Sequence, residues 1–185
     1  AGEEKNDPAF AAELAAGFDV FVNDAFAVSH RAHASTVGVA EILPSYAGDL
    51  LASEIEHLTA VMENPKRPLL SIVAGSKVST KIGVLKALAK LSDTLIIGGA
   101  LGTTFNYAQG AKVGNSLFEA DQKETALEIL DFAKNNNCRV LLPLDKGVAK
   151  EFKADAVRVN KGFAEIEDDD VIIDAGLETT ERDVA

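Results

Sequence analysis

A chain of 185 residues, 47% of them hydrophobic and 25% charged, has the make-up of a folded globular protein and room for one full domain with part of another. Its 18 basic and 29 acidic residues leave a net charge of −11, which argues against a nucleic-acid partner but allows a phosphate held by a few placed cations. The lone Cys138 rules out an internal disulfide framework, and no apolar run nears the ~18 residues that a membrane span requires.

Pro8 to Gly17 reads as a helix, with Phe10 and Leu14 at helical spacing and glycine as the stop. Val20-Phe21-Val22 reads as a short strand ending at Asn23-Asp24, and residues 27–40, small and polar with two histidines and an arginine, read as a loop. From Gly48 to Asn64 a long helix is expected, with Leu50, Leu51, Ile55, Leu58, Val61 and Met62 on one face. Asn64-Pro65-Lys66-Arg67-Pro68 ends it and is the credible domain boundary.

Beyond that point strands and helices alternate. Leu69–Val73 and Thr94–Ile97 are buried strands, Arg139–Leu142 is a third, and Val157–Val159 and Val171–Ile173 are shorter candidates. Helices are expected over 79–91, 100–109 and 121–135, the last capped by Asp121. Short apolar strands separated by helices predict an α/β fold, a mostly parallel sheet covered on both faces. Cys138, just before Val140-Leu141-Leu142, reads as a buried structural thiol, and the acidic run Glu165–Asp170 as a solvated loop. No signal peptide is visible, and with the single cysteine this fits a cytoplasmic protein. The chain begins without Met and stops at Arg182-Asp183-Val184-Ala185 in what reads as a helix opening, so both ends read as cuts.

In open α/β sheets ligands settle at the carboxyl ends of strands, and two such junctions stand out. In Gly75-Ser76-Lys77-Val78-Ser79-Thr80-Lys81, glycine permits a tight turn, Ser76 is placed to cap a helix, and Lys77 and Lys81 share one face of its first turn. Lysines at the positive end of a helix suit a bound anion, held also by free backbone N–H groups. The same pattern fits two solvated lysines. The spacing is not that of a P-loop. In Ile96-Ile97-Gly98-Gly99, paired glycines let a ligand lie on bare backbone, or let a helix pack closely on a strand; a dinucleotide fingerprint is absent. A third cluster, Asn23-Asp24-Ala25-Phe26 followed by His30-Arg31-Ala32-His33, offers an arginine suited to gripping a carboxylate or phosphate. No Cys or carboxylate has metal-like spacing with the two histidines, which argues against zinc, and His57 in the long helix needs no function.

Taken in order, these segments resemble the phosphoglycerate kinase family over nearly the whole chain. The carriers are Phe21–Phe26 with His30–Ser35, Pro44–Leu58, Gly75–Lys81, Ile96–Gly99, Gly114-Asn115-Ser116-Leu117, Leu142-Pro143-Leu144-Asp145 and Ile173-Asp174-Ala175-Gly176. The resemblance implies Rossmann-like domains joined by a hinge helix. It divides the chain into the end of a triose-binding domain over 1–47, the hinge helix over 48–64, and an incomplete nucleotide-binding domain over 65–185. The implied activity is reversible phosphoryl transfer between 1,3-bisphosphoglycerate and ADP in a monomeric enzyme. By resemblance Arg31 and His30 bind the triose, and Lys77 and Arg31 are catalytic. Gly75, Lys77, Lys81, Gly98, Gly99 and Leu117 attend the nucleotide.

The resemblance also implies Mg2+ with the nucleotide, but puts no metal ligand in this segment; that aspartate, with further substrate arginines, belongs to family segments not found in these residues. On the resemblance, the segment alone is expected to be inactive. Ala74, Leu177 and Lys146-Gly147 depart from the family's usual residues. The alternative is a module that binds nucleotide or a partner without catalysis.

Overall fold

In the computed structural model, which describes residues 2–185, the chain forms two units, Ala1–Lys66 and Arg67–Ala185. In the first unit, helix α1 (Pro8–Ala15) starts where the Asp7 carboxylate accepts the Phe10 N–H at 2.9 Å and Pro8 needs no donor partner; it ends at Ala16, before Gly17. Strand β1 (Phe21–Asn23) pairs in parallel with β2 (Ser45–Ala47), an edge pairing that the sequence did not announce. Residues 27–40 are not an open loop. A 3-10 turn (Phe26–Val28), a π-helical turn (Ala34–Gly38) and α2 (Val39–Ile42) fill them, because Ala34, Gly38 and Val39 are small enough to be buried against the unit's interior.

Helix α3 (Asp49–Glu63) matches the expected span, and the Asp24 carboxylate just past β1 accepts the Leu51 N–H at 2.9 Å, satisfying one open donor of its first turn. Its stripe of Leu50, Ile55, Leu58, Val61 and Met62 is exposed, and Leu51 is the helix's buried residue.

The second unit opens with a parallel sheet in the order β3 (Leu70–Ala74), β4 (Thr94–Gly98), β5 (Arg139–Leu141), with Leu70 beside Thr94 and Thr94 beside Arg139. Helices α4 (Ile82–Leu91), α5 (Gly99–Ala108) and α6 (Lys123–Asn135) make the connections. The core between them holds Val73, Val78, Leu85, Leu95, Ile97, Leu101, Phe105 and Ile129, each contributing about 1.5–3 kcal/mol of burial where the side chain is a full-sized aliphatic or aromatic. Cys138 belongs to that core, and burial raises its thiol pKa, as expected of a structural cysteine.

Helix α4 begins three residues later than expected, since residues 79–81 form a turn; Ser76 caps nothing, and Lys77 and Lys81 precede the helix rather than sharing its first turn. Asp121 does not cap α6. It sits in a 3-10 turn (Ala120–Gln122) and accepts from Gln122 Nε2 at 3.2 Å.

A second, antiparallel sheet follows, in the order β7 (Val159–Gly162), β6 (Asp145–Ala149), β8 (Val171–Ala175), and helix α7 (Leu177–Val184) packs on β6. Every residue of β6 is buried. Side chains alternate across a strand, so Asp145 and Lys146 serve opposite faces. The Asp145 face meets the amino end of α7.

The acidic run is not simply solvated either. Asp170 is 1% exposed, and its carboxylate takes the Lys161 ammonium at 2.7 Å, the Lys150 ammonium at 2.9 Å and the Glu167 N–H at 2.8 Å. Those partners, the Lys161 hydrogen bond foremost, hold its pKa far below the usual carboxylate range and let a charge stay buried.

Candidate functional site

The carboxyl ends of β3 and β4 and the near edge of β8 enclose a cavity of about 1120 Å3. One wall is Gly75, Ser76, Gly98, Gly99 and Ala100; Asn115–Leu117 and Pro143 continue it, and Lys146, Phe152 and Val171–Ala175 come from the second sheet and the segment after it. Most of the lining is apolar side chain or bare backbone, the usual character of a small-molecule site.

The two glycine junctions meet at its floor. Gly99 has φ +65°, and a Cβ there would come within 3.0 Å of the Gly75 carbonyl oxygen, which also accepts the Leu101 N–H at 2.8 Å. Only glycine lets the start of α5 lie so near the end of β3. Over Gly75 lies the Lys81 side chain, whose Cε would be 2.7 Å from a Cβ on that residue. Lys81 therefore reaches back over the turn to the cavity's rim. Lys77 is exposed and is not on the cavity wall, although its neighbour Ser76 is.

The backbone N–H groups expected to await an anion at Val78 and Ser79 already have one. The Glu119 carboxylate accepts the Val78 N–H at 2.5 Å, the Ser79 N–H at 3.1 Å and the Ser79 hydroxyl at 2.7 Å. Desolvation raises the Glu119 pKa, but hydrogen bonds from the Ser79 side chain and from the Ser79 and Val78 N–H groups outweigh it, and the carboxyl lies below its ordinary value. The Glu119 N–H in turn donates to Thr104 Oγ1 at 3.1 Å, so α5 holds the acid that holds the lysine turn. Glu119→Ala is expected to speed hydrogen exchange at the Val78 and Ser79 amides about 5–30-fold, the loss of about 1–2 kcal/mol of local stability. Unchanged exchange there, read by NMR, would rule out the brace.

Leu117 is 66% exposed and faces the cavity. It is held there because Ser116 Oγ accepts the Ile172 N–H at 2.8 Å and the Asn115 N–H donates to the Asp170 carbonyl at 2.8 Å. Arg31 and His30 belong to the first unit, where both are exposed; Arg31 is placed by its N–H on Val28 O at 3.0 Å and its carbonyl on Thr36 Oγ1 at 2.8 Å. His33 Nδ1 stands 3.6 Å from the Glu3 carboxylate. Of the residues singled out in the sequence, Gly75, Gly98, Gly99 and Leu117 thus share one cavity, with Lys81 at its rim and Lys77 on the adjoining turn.

Sequence reading missed the wall from the second sheet. Val171–Ile173 was expected as a strand, Ile173-Asp174-Ala175 as part of a family run and Lys146 as a departure from the family, but none of them, nor Phe152, was assigned to a site.

Among the described residues, the acids whose oxygens converge closely enough for a metal are Glu167, Asp169 and Asp170. The Lys150 ammonium sits on all three, at 2.7, 2.7 and 2.9 Å, and Lys161 on two. A divalent cation does not fit where two ammonium groups already neutralise the trio.

Parallel strands with flanking helices, and a glycine-floored cavity at the strands' carboxyl ends, define a Rossmann-like α/β protein with a ligand cleft at the usual place in such sheets. Comparison with known proteins narrows this. The family model for phosphoglycerate kinase matches residues 1–184. The phosphoglycerate kinase of Maricaulis maris is 50% identical over 179 residues, covering 97% of this chain and 44% of that protein. That of Methylorubrum extorquens is 51% identical over 176 residues, covering 95% and 44%.

Among solved structures, phosphoglycerate kinase from Coxiella burnetii superposes with a TM-score of 0.82 at 41% identity, covering 98% of this chain and 47% of that one. The enzyme from Pyrococcus horikoshii gives 0.69 at 25% identity, covering 95% and 46%. The chain belongs to the phosphoglycerate kinase family, and it spans about half the length of the curated relatives it matches. No helix among the described residues is long and apolar enough to cross a membrane.

Proposed function

We propose that the protein carrying this chain transfers a phosphoryl group reversibly between 1,3-bisphosphoglycerate and ADP, as a cytoplasmic monomer. The observation that carries the reading is the cavity itself: backbone of Gly98 and Gly99 bare on its wall, Leu117 facing in, and Lys81 lying over Gly75 at its rim. A nucleoside can lie on such a wall while its phosphates extend toward the lysine turn.

In this reading a β-phosphate oxygen of ADP attacks the acyl phosphorus, the bond to the carboxyl oxygen breaks, and 3-phosphoglycerate leaves as a carboxylate. An acyl phosphate is already activated, so the work left to the protein is positioning, charge neutralisation and exclusion of water. Lys81 holds the nucleotide phosphates, and Lys77 stabilises the oxygens of the group in flight. Arg31, with His30 beside it in sequence, grips the triose, a task for which a two-pronged guanidinium is better suited than an ammonium. Residues 1–47 then supply the triose side, α3 is the hinge helix, and the unit from Arg67 onward is the nucleotide side. Magnesium bound with the nucleotide would supply charge neutralisation at its phosphates.

The test is ATP formation from 1,3-bisphosphoglycerate and ADP, followed in a coupled assay beside calorimetric titration of ADP. A protein of full family length containing this chain should turn over. The 185 residues alone should bind ADP without turnover. Binding without turnover by the longer protein would instead favour a module that holds nucleotide and does no chemistry, and absence of binding by either would end the nucleotide reading.

A further inference from the structure

Lys146 is buried, and among the described residues its charge is met only from a distance, by Asp145 and Asp174. It is 2% exposed, lies in the middle strand of the second sheet, and lines the cavity. Among the described residues its Nζ has no hydrogen-bond or ion-pair partner, and what it faces is the Phe163 ring, 5.8 Å from the centroid. Lysine is almost never fully buried unless paired, because an ammonium taken out of water costs several kcal/mol. A distant ring face offsets only part of that cost.

Most charged groups around it are already engaged: Glu151, on the same cavity lining, is paired with Lys153. On β6 itself, Asp145 points to the other face and is taken by Thr179, Asn160 and the Glu178 N–H. Lys150, at the end of that strand, is bound to Glu167, Asp169 and Asp170. On β7, Lys161 stands beside Lys146 in register and is paired with Glu167 and Asp170. In the turn after β7, Glu165 accepts the Gly162 N–H. On β8, Asp174 lines the cavity; it favours the charged form of Lys146 from a distance but makes no ion pair with it. The one open direction for the ammonium is the cavity.

We propose that Lys146 is a nucleotide-binding residue, its ammonium donating a hydrogen bond to the nucleoside part of the ligand. The proposal rests on the nucleotide reading of the cavity. The phosphate end of that ligand belongs with Lys81 at Gly75, whereas Lys146 comes from the wall formed by the second sheet, with Ile172 of β8. Burial depresses its pKa to about 8, opposed by Asp145 and Asp174, so the ammonium loses its proton within an accessible range unless a ligand holds it.

Adenosine is the probe, since it has no phosphate that titrates. Calorimetric or NMR titration should show Lys146→Met binding adenosine and ADP about 10–100-fold more weakly than the parent, by the same factor for both ligands. Parent affinity for adenosine should fall between pH 7 and 9, as the ammonium of pKa about 8 is lost, and the variant's should not. Equal binding by parent and variant overturns the proposal, as does a loss confined to ADP. If the variant does not fold, a flat pH profile for the parent overturns it alone. If the parent binds neither ligand, the nucleotide reading fails first and takes this inference with it.

Discussion

Lys77→Ala is expected to cut turnover about 10²–10³-fold in a protein of full family length that contains this chain, while ADP affinity changes by no more than about threefold. The asymmetry follows from where the residue sits. Lys77 is exposed and off the cavity wall, so it contributes little to holding the nucleotide at rest. Its backbone, however, is fixed on the carboxyl side. Ser76 before it lines the cavity, while Val78 after it is fully buried and its N–H is clamped by Glu119. A long flexible side chain on a fixed base can meet charge that develops only as the phosphoryl group crosses, which is where stabilisation raises the rate. Steady-state kcat and KM for ADP measure the split. A loss in both by the same factor would make Lys77 a ground-state ligand and remove the role proposed for it. Lys77→Arg should recover only part of the rate, because a planar fork does not follow a moving phosphoryl group as a compact ammonium does.

The parallel sheet was legible in the sequence because its strands read as unbroken apolar runs; Leu95-Ile96-Ile97 of β4 is buried on both faces, whereas β3, expected to be buried, leaves Leu70 and Ile72 exposed. Gly99 at the end of β4 was legible for the complementary reason: a side chain is missing where one would press on the Gly75 backbone. Strand β6 was not. Asp145-Lys146-Gly147-Val148-Ala149 carries two charges and a glycine, and neither a period of two nor an apolar run marks it as the centre of a sheet. Each of its oddities has a partner distant in sequence. Asp145 answers to the start of α7, Lys146 to the cavity, and Gly147 to the Arg158 guanidinium that lies against it and donates to the Ala175 carbonyl at 2.8 Å. The same blindness affected the turn after Gly75. Its lysines were found, but the anion on its N–H groups is Glu119, some 40 residues away in sequence. Asp170 likewise looked like one more acid in an acidic run until Lys150 and Lys161 converged on it. Local propensity shows the scaffold; charges buried by long-range partners become readable only once the chain is folded.

Asp145→Ala should be the most damaging single change to the second unit's stability, costing about 3–4 kcal/mol in chemical denaturation. The carboxyl is 4% exposed, and both its oxygens are in use. Oδ1 accepts the Thr179 N–H at 2.9 Å and the Thr179 hydroxyl at 2.7 Å, while Oδ2 accepts Asn160 Nδ2 at 2.6 Å and the Glu178 N–H at 3.1 Å. Two of these donors are open N–H groups in the first turn of α7, where an anion is favoured. Removing the acid leaves three donors facing a void, while the Thr179 hydroxyl keeps the backbone carbonyl of residue 145 at 3.2 Å. Asp145→Asn keeps the shape but turns one oxygen into an NH2 group aimed at two donors, and about 2 kcal/mol should be lost.

Acid separates the two contributions. Desolvation raises the Asp145 pKa, but the hydrogen bonds of Thr179, Asn160 and Glu178 outweigh it and bring the group from 3.8 to about 2. A carboxyl depressed in the folded state adds stability that is complete above its unfolded value of 3.8 and disappears as the pH falls through about 2, a contribution of about 2 kcal/mol. The parent should therefore lose that much between those pH values, and the asparagine variant should lose correspondingly less. The consequence reaches the cavity, since Asp145 anchors the strand whose next residue is Lys146 and whose neighbour β8 forms the far wall. An alanine variant within about 1 kcal/mol of the parent would mean that water replaces the carboxylate without penalty, and the cavity wall would then owe its position to sheet pairing alone.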